Sequence, residues 1–206
     1  MLKESQVHEY WERRAADHGA RTVSFGNKSL DYQSRLCEQR MKFIFPHCPR
    51  SLRTLDFGCG TGNFTDCFES YLGMDISESL LSFAKMRYPK KDFILLKQPF
   101  PLEEAMVIFK PELFFSATVL QHNSDELVRK IFKSMANIGQ DMLFCLYENS
   151  HAIKKEHIKG RTSEDYIGFL SESYKILDSS SSTHRIHGEN HSVTIAKVKP
   201  LSERKK

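Results

Sequence analysis

The sequence predicts an α/β fold, a doubly wound and mostly parallel sheet, and three observations predict it. The first is the run Leu55-Asp56-Phe57-Gly58-Cys59-Gly60-Thr61-Gly62-Asn63-Phe64-Thr65, which reads as a buried strand, a glycine-rich turn and a helix start. The second is the regular alternation of strand-length and helix-length apolar segments after it. The third is the break in that alternation near the C-terminus, where two strand-like runs follow each other directly.

Ahead of the glycine turn, Ser5 to Asp17 carries Val7, Tyr10, Trp11 and Arg14 on one side of a helix. A second helix is expected from Leu30 to Phe45, stopped by Pro46. Arg53 to Phe57 is the first strand, and Phe64 to Ser70 is expected as a helix that Thr61 or Asn63 caps. A strand then ends at Asp75, a helix runs from Glu78 to Arg87, and a strand covers Asp92 to Leu96. Leu113 to Ser116 is a further strand. Asp125 to Asn137 is a helix turning Leu127, Val128, Ile131, Phe132 and Met135 inward, and Met142 to Tyr147 is a buried strand. Ser163 to Leu170 is a helix capped by Thr162 or Ser163. Tyr174 to Ser179 and Ser192 to Val198 are strands joined by the polar connection Ser179 to His184, and with no crossover helix between them they are antiparallel if they pair.

The glycine spacing narrows the ligand. A dinucleotide site uses G-x-G-x-x-G, with its third glycine between helix and strand near a pyrophosphate. Here Gly62 comes one residue early and Asn63 fills the expected slot, which disfavours nicotinamide dinucleotides. Asp56-Phe57-Gly58-Cys59-Gly60-Thr61-Gly62 instead resembles motif I of the class I S-adenosylmethionine-dependent methyltransferases, an acid followed by G-x-G-x-G. Asp75, 17 residues beyond Gly58, ends the next strand near the roughly 20-residue offset at which such folds place a carboxylate on ribose hydroxyls. Its other reading is a cap for the next helix, a task open to Ser77 or Ser79 as well.

The resemblance spans the chain to about Val198 and implies a Rossmann-like, seven-stranded sheet with one antiparallel strand from the C-terminal hairpin. It implies S-adenosylmethionine as cofactor, with Asp56, Gly58, Cys59, Gly60, Gly62, Asp75 and Ile76 in its site. Relatives carry an acid near Gln98, whose amide can still meet adenine; the alternative is an exposed loop residue. The segment Ser116 to Asn123 corresponds to the one flanking the methionine part of the cofactor, and it supplies Ser116, Thr118 and Gln121. His122 is the candidate general base, with local capping or packing as its other reading. Tyr10-Trp11-Glu12-Arg13-Arg14-Ala15 looks like the leading lid helix of many small-molecule methyltransferases. There Tyr10 and Trp11 shield the sulfonium and Arg14 meets the methionine carboxylate, while a plain core anchor is the competing reading of Trp11.

The same region excludes chemistry. It lacks the Asp or Asn followed by Pro-Pro and an aromatic that relatives use on exocyclic base amines. Gln121 stands where metal-binding relatives have Glu, so no metal site is expected. Residues 1–199 are expected to form a single domain: lid helices at 1–50, a cofactor core at 51–148, and a variable region with the last strands at 149–199. A basic tail follows at 200–206. The net charge of +4 is accounted for by the segment from Lys197, so a neutral body argues against nucleic-acid binding. Lys154, Lys155, Lys159 and Arg161 make a basic stretch that could draw an anionic acceptor or be a solvated loop. Five cysteines with no C-x-x-C fit reduced thiols, and the first residues lack a signal-peptide pattern, so a cytoplasmic protein without membrane segments is expected. The expected reaction is methyl transfer to an O or N atom of a small-molecule acceptor. The alternatives are a methyltransferase of RNA or protein and a non-catalytic S-adenosylmethionine-binding protein. Oligomeric state is left open.

Overall fold

A computed structural model describes residues 4–19, 30–96, 102–149, 158–186 and 189–201. Helices α1 (Glu4–His18) and α2 (Leu30–Ile44) precede strand β1 (Thr54–Phe57). The series continues with β2 (Tyr71–Asp75), α3 (Glu78–Arg87), β3 (Asp92–Leu95), α4 (Leu102–Phe109), β4 (Leu113–Ala117) and α5 (Asp125–Ala136). It ends with β5 (Met142–Asn149), α6 (Ser163–Ser171), β6 (Tyr174–Ile186) and β7 (Glu189–Pro200). The seven strands form one sheet in the order β3-β2-β1-β4-β5-β7-β6. Pairing is parallel from β3 through β5, and β7 runs antiparallel to both β5 and β6. The expected fold class, with a single reversed strand, is the observed one.

The central strands are apolar on both faces because helices cover both. Phe114 and Phe115, adjacent in β4, point to opposite sides. Phe114 stacks on Phe57 and lies tilted against Phe144 in a core completed by Phe132 of α5 and Leu170 of α6. Phe115 meets Phe64 and Phe68 in the other core, closed by Leu36, Met41 and Ile44 of α2 and by Leu81 and Ala84 of α3. Caps end the helices where the sequence places them. Ser77 Oγ accepts from Leu80 N at α3, Ser124 Oγ from Leu127 N at α5, and Thr162 forms a reciprocal capping box with Asp165 at α6.

Two local expectations fail. Between β1 and β2 there is no helix over Phe64 to Ser70, only a 3-10 turn at Thr65–Cys67 without a side-chain cap from Thr61 or Asn63. Gly58, Gly60 and Gly62 all take positive φ, and Phe68 is already extended, so too few residues remain to nucleate an α-helix. The Phe64 and Phe68 rings pack on the sheet instead. The serine-rich run Ser179 to His184, expected as a connection, lies inside β6. This is an edge strand with a bulge between Ile176 and Asp178, so its outward polar residues cost nothing in burial and its backbone pairs with β7. Helix α4 lies in a stretch that the sequence reading left unassigned. Among the described residues, no helix is long and apolar enough to cross a membrane.

Candidate functional site

The site forms at the carboxyl ends of the parallel strands, where open α/β sheets bind ligands. The turn after β1 is bent tightly back onto β2. Gly58 N and Cys59 N both donate to Met74 O, at 2.7 and 2.9 Å, and Gly60 N donates to Asp75 Oδ2 at 2.8 Å. Gly58 and Gly62 have φ of +76° and +77°, a region that L side chains rarely adopt. Space forbids a side chain too. A Cβ on Gly58 would lie 2.4 Å from Val119 Cγ1, and one on Gly62 would lie 2.8 Å from Thr65 Oγ1.

Asp75 is the keystone of this turn. Oδ2 accepts from Gly60 N and Oδ1 from Ser77 N at 2.9 Å, so each oxygen has one backbone donor and keeps acceptor capacity. Burial pushes its carboxyl up to about 6, opposed by the donors at Ser77, Gly60 and Ile76. Helix capping belongs to Ser77, which removes the alternative reading of Asp75 as the α3 cap. Ile76, half-buried, packs against the first core beside it. Asp56 plays another part. It is buried within β1 and accepts a 2.7 Å bond from Tyr71 Oη, tying β1 to β2. Burial pushes its carboxyl up to about 7; the Tyr71 hydroxyl opposes this and the nearby Asp75 charge adds to it. Cys59 is buried as well, with its thiol against Gly73, where a Cβ would come within 2.9 Å of Sγ.

The opposite wall is the segment after β4. Thr118 has φ +59°, an uncommon conformation for a β-branched residue, and Val119 beside it packs over Gly58. Glu148, at the end of β5, holds this segment. Its Oε1 accepts from Ser116 Oγ (3.0 Å), Val119 N (3.2 Å) and Leu120 N (3.0 Å), and its Oε2 from Gln121 N (3.3 Å). The carboxyl is fully buried, and burial pushes it up to about 7 against these donors. Ser116 is thereby committed to Glu148 and fully buried, a supporting place rather than an open wall position. Thr118 turns its hydroxyl back to Ala117 O at 2.7 Å.

Helix α1 bridges the start of α3 and the segment after β4. Its Glu12 accepts from Ser79 Oγ at 2.6 Å, docking α1 at the start of α3. Trp11 makes an edge contact with His122 at 5.3 Å and with Tyr10 at 5.3 Å, while the Arg14 guanidinium lies 5.7 Å from the Tyr10 ring. Tyr10, Trp11, Arg14 and His122 therefore come together from the two ends of the site. Trp11 is half-buried against His122, not a core anchor. His122 Nε2 is 3.4 Å from the amide nitrogen of Gln121, which is itself 3% exposed. Gln98 lies outside the described residues.

Sequence reasoning missed Glu148, a lone acid at a strand end with no motif to mark it, and it misread Arg161. Far from a solvated loop, Arg161 is 3% exposed. It donates to Asp125 Oδ1, Leu120 O and Asn123 O, and with Lys159 N on Gln121 O it clamps the segment that carries His122. Lys159 Nζ is bound to Asp125 at 2.6 Å.

Residues 55–139 match the family model described as a methyltransferase domain. No curated protein matches the sequence. Among solved structures the chain is similar to magnesium protoporphyrin IX methyltransferase of Synechocystis with bound S-adenosylhomocysteine. The TM-score is 0.66 at 14% identity, over 94% of this chain and 99% of that one. It is similar to an S-adenosylmethionine-dependent methyltransferase of Leishmania major, with a TM-score of 0.67 at 18% identity, covering 94% and 82%. It also resembles phosphoethanolamine N-methyltransferase 1 of Haemonchus contortus, with a TM-score of 0.64 at 15% identity over 100% of this chain and 52% of that one. Residues 55–139 thus match a methyltransferase domain, and the whole fold is the one these S-adenosylmethionine-dependent methyltransferases of known structure share.

Proposed function

We propose that the chain transfers a methyl group from S-adenosylmethionine to an oxygen or nitrogen atom of a small-molecule acceptor held beneath α1. The observation that carries this reading is the glycine turn anchored on Asp75 by the bond from Gly60 N. The residues present fit the cofactor. A Cβ would fill the cradle at Gly58 and Gly62, and the Asp75 carboxylate retains lone pairs for two ribose hydroxyls. Gly58 to Gly62, Asp75 and Ile76 would hold the adenosine end, with Tyr10, Trp11 and Arg14 over the methionine end. When bound, the cofactor supplies an electrophilic methyl on a sulfonium.

The protein's own share of the chemistry is alignment and the exclusion of water. Trp11 and Tyr10 provide apolar surface beside His122, and Glu12 fixes the helix that bears them. Glu148 and Arg161 set the backbone that presents Gln121 and His122. His122 would take a proton from the acceptor's O–H or N–H, a task suited to an imidazole near neutral pH. Calorimetric titration with S-adenosylmethionine, S-adenosylhomocysteine and NAD in parallel tests the cofactor assignment. Binding of the first two and not of NAD is expected. Binding of NAD alone, or of none of the three, refutes it.

A further inference from the structure

A second cationic feature lies along the same edge of the sheet, away from the residues assigned to the cofactor. Tyr147, near the end of β5, is fully buried, and its carbonyl accepts from Thr118 N at 2.7 Å, so it adjoins the segment that faces the glycine turn. Its ring is stacked on His191 at 4.9 Å and 16°, and His191, the third residue of β7, stands opposite Asn149, the last residue of β5. The Arg40 guanidinium of α2 covers the Tyr147 ring at 5.3 Å. Phe43 of α2 stacks on His184 of β6 at 3.9 Å, and Leu36, Met41 and Ile44 pack into the second core, so this part of α2 is fixed on the sheet.

What is unusual is the state of Arg40. Its Nε is buried and has no hydrogen-bond partner among the described residues, although a buried N–H on a charged group is costly to leave unpaired. Stacking on an aromatic ring satisfies the face of a guanidinium but none of its in-plane N–H donors. His191 adds no second charge, since burial and then the charge of Arg40 push its imidazole down to about 4. A planar cation with an unpaired Nε–H, backed by an aromatic ring, suits an oxyanion. Arg40 lies on the β5 side of the β4 end, two strands from β1, or roughly 10 Å at the usual strand spacing. That separation suits a group on the acceptor remote from the reacting atom.

We infer that Arg40, stacked over Tyr147 and His191, is an oxyanion subsite for the methyl acceptor, which therefore carries a carboxylate or a phosphate group. The assignment to the acceptor rests on the methyltransferase reading above, whereas the anion site itself does not.

The test uses the whole chain labelled with 15N, titrated with sodium phosphate and separately with sodium acetate at constant ionic strength set by chloride, with and without S-adenosylhomocysteine. The Arg40 Nε–H resonance, assigned by its disappearance in Arg40→Lys, is expected to shift and saturate with one or both anions. Thermal melting of wild type should rise in parallel. In Arg40→Gln the affinity for the anion should fall roughly tenfold or more, as loss of a charge-assisted pair implies. A stronger response to phosphate would select phosphorylated acceptors, and a stronger response to acetate would select carboxylic acids. No saturable shift of Arg40 in wild type overturns the inference, as does unchanged anion affinity in a folded Arg40→Gln. The wild-type resonance decides the matter if that variant does not fold. Failure of S-adenosylhomocysteine to bind would refute the methyltransferase reading while the phosphate titration still decided the subsite.

Discussion

Replacing Gly58 by alanine isolates the tightest contact of the glycine turn. Two costs are legible in the structure. At φ +76° an alanine enters the left-handed region, a penalty of about 1–2 kcal/mol. Its Cβ would also sit 2.4 and 2.5 Å from the two methyls of Val119, an overpacking that costs about 1–3 kcal/mol once the neighbours shift. The sum is about 2–5 kcal/mol, within the ~5–15 kcal/mol stability of an ordinary domain, so the variant should fold. Urea unfolding followed by circular dichroism, extrapolated to water, measures the loss. Val119→Ala in the Gly58→Ala background should recover part of the steric cost and none of the dihedral cost, because Val119 Cβ would still lie 2.9 Å from the new methyl. A double-mutant cycle reads that coupling. A loss below about 0.5 kcal/mol, the scatter of ordinary surface changes, or no coupling with Val119, would refute the close approach of the post-β4 segment to the glycine turn.

Three further outcomes are expected. Asp75→Ala should weaken S-adenosylhomocysteine binding by ~1.5–3 kcal/mol through the lost charge-assisted bonds, read by calorimetry on protein whose circular dichroism is unchanged; undiminished affinity would remove Asp75 from the site. Asp56 has a folded pKa raised from 3.8 to about 7, so its contribution is fully present below the unfolded value and is lost as pH rises through 7. Asp56→Asn should therefore flatten the fall in stability between about pH 4 and 8, a span on the order of 4 kcal/mol for three pKa units, and an unaltered slope of urea midpoint against pH would contradict this. Glu148→Gln offers an amide N–H₂ where the carboxylate only accepts, leaving at least one of its four donors unpaired at a cost of about 1–3 kcal/mol. Faster hydrogen exchange at Leu120 and Gln121 should accompany the loss, and unchanged exchange there would sink the role given to Glu148.

The sequence by itself determined the alternating architecture, the glycine turn and the acid that ends β2. Each is a local consequence of chain chemistry: short, continuous apolar runs bury strands, caps start helices, and positive φ demands glycine at Gly58 and Gly62. Helix α3 was legible to the residue, since Ser77 caps its start and Pro89 follows its end. Tertiary structure decided the rest. The expected helix after Gly62 yielded to Phe64 and Phe68, whose rings gain more on Phe115 than one or two helical turns would return. The serine run of β6 became strand because β7 supplied backbone partners that propensity cannot see. Glu148 and Arg161 carry no signal of their own, being a lone acid and one base in a basic stretch. Their importance comes from the donors and carbonyls that folding gathers around them across 27 to 41 residues of chain. Local rules fix which groups a chain offers, whereas burial decides which of those groups must find each other, because only in the interior does an unpaired charge cost more than the chain can spare.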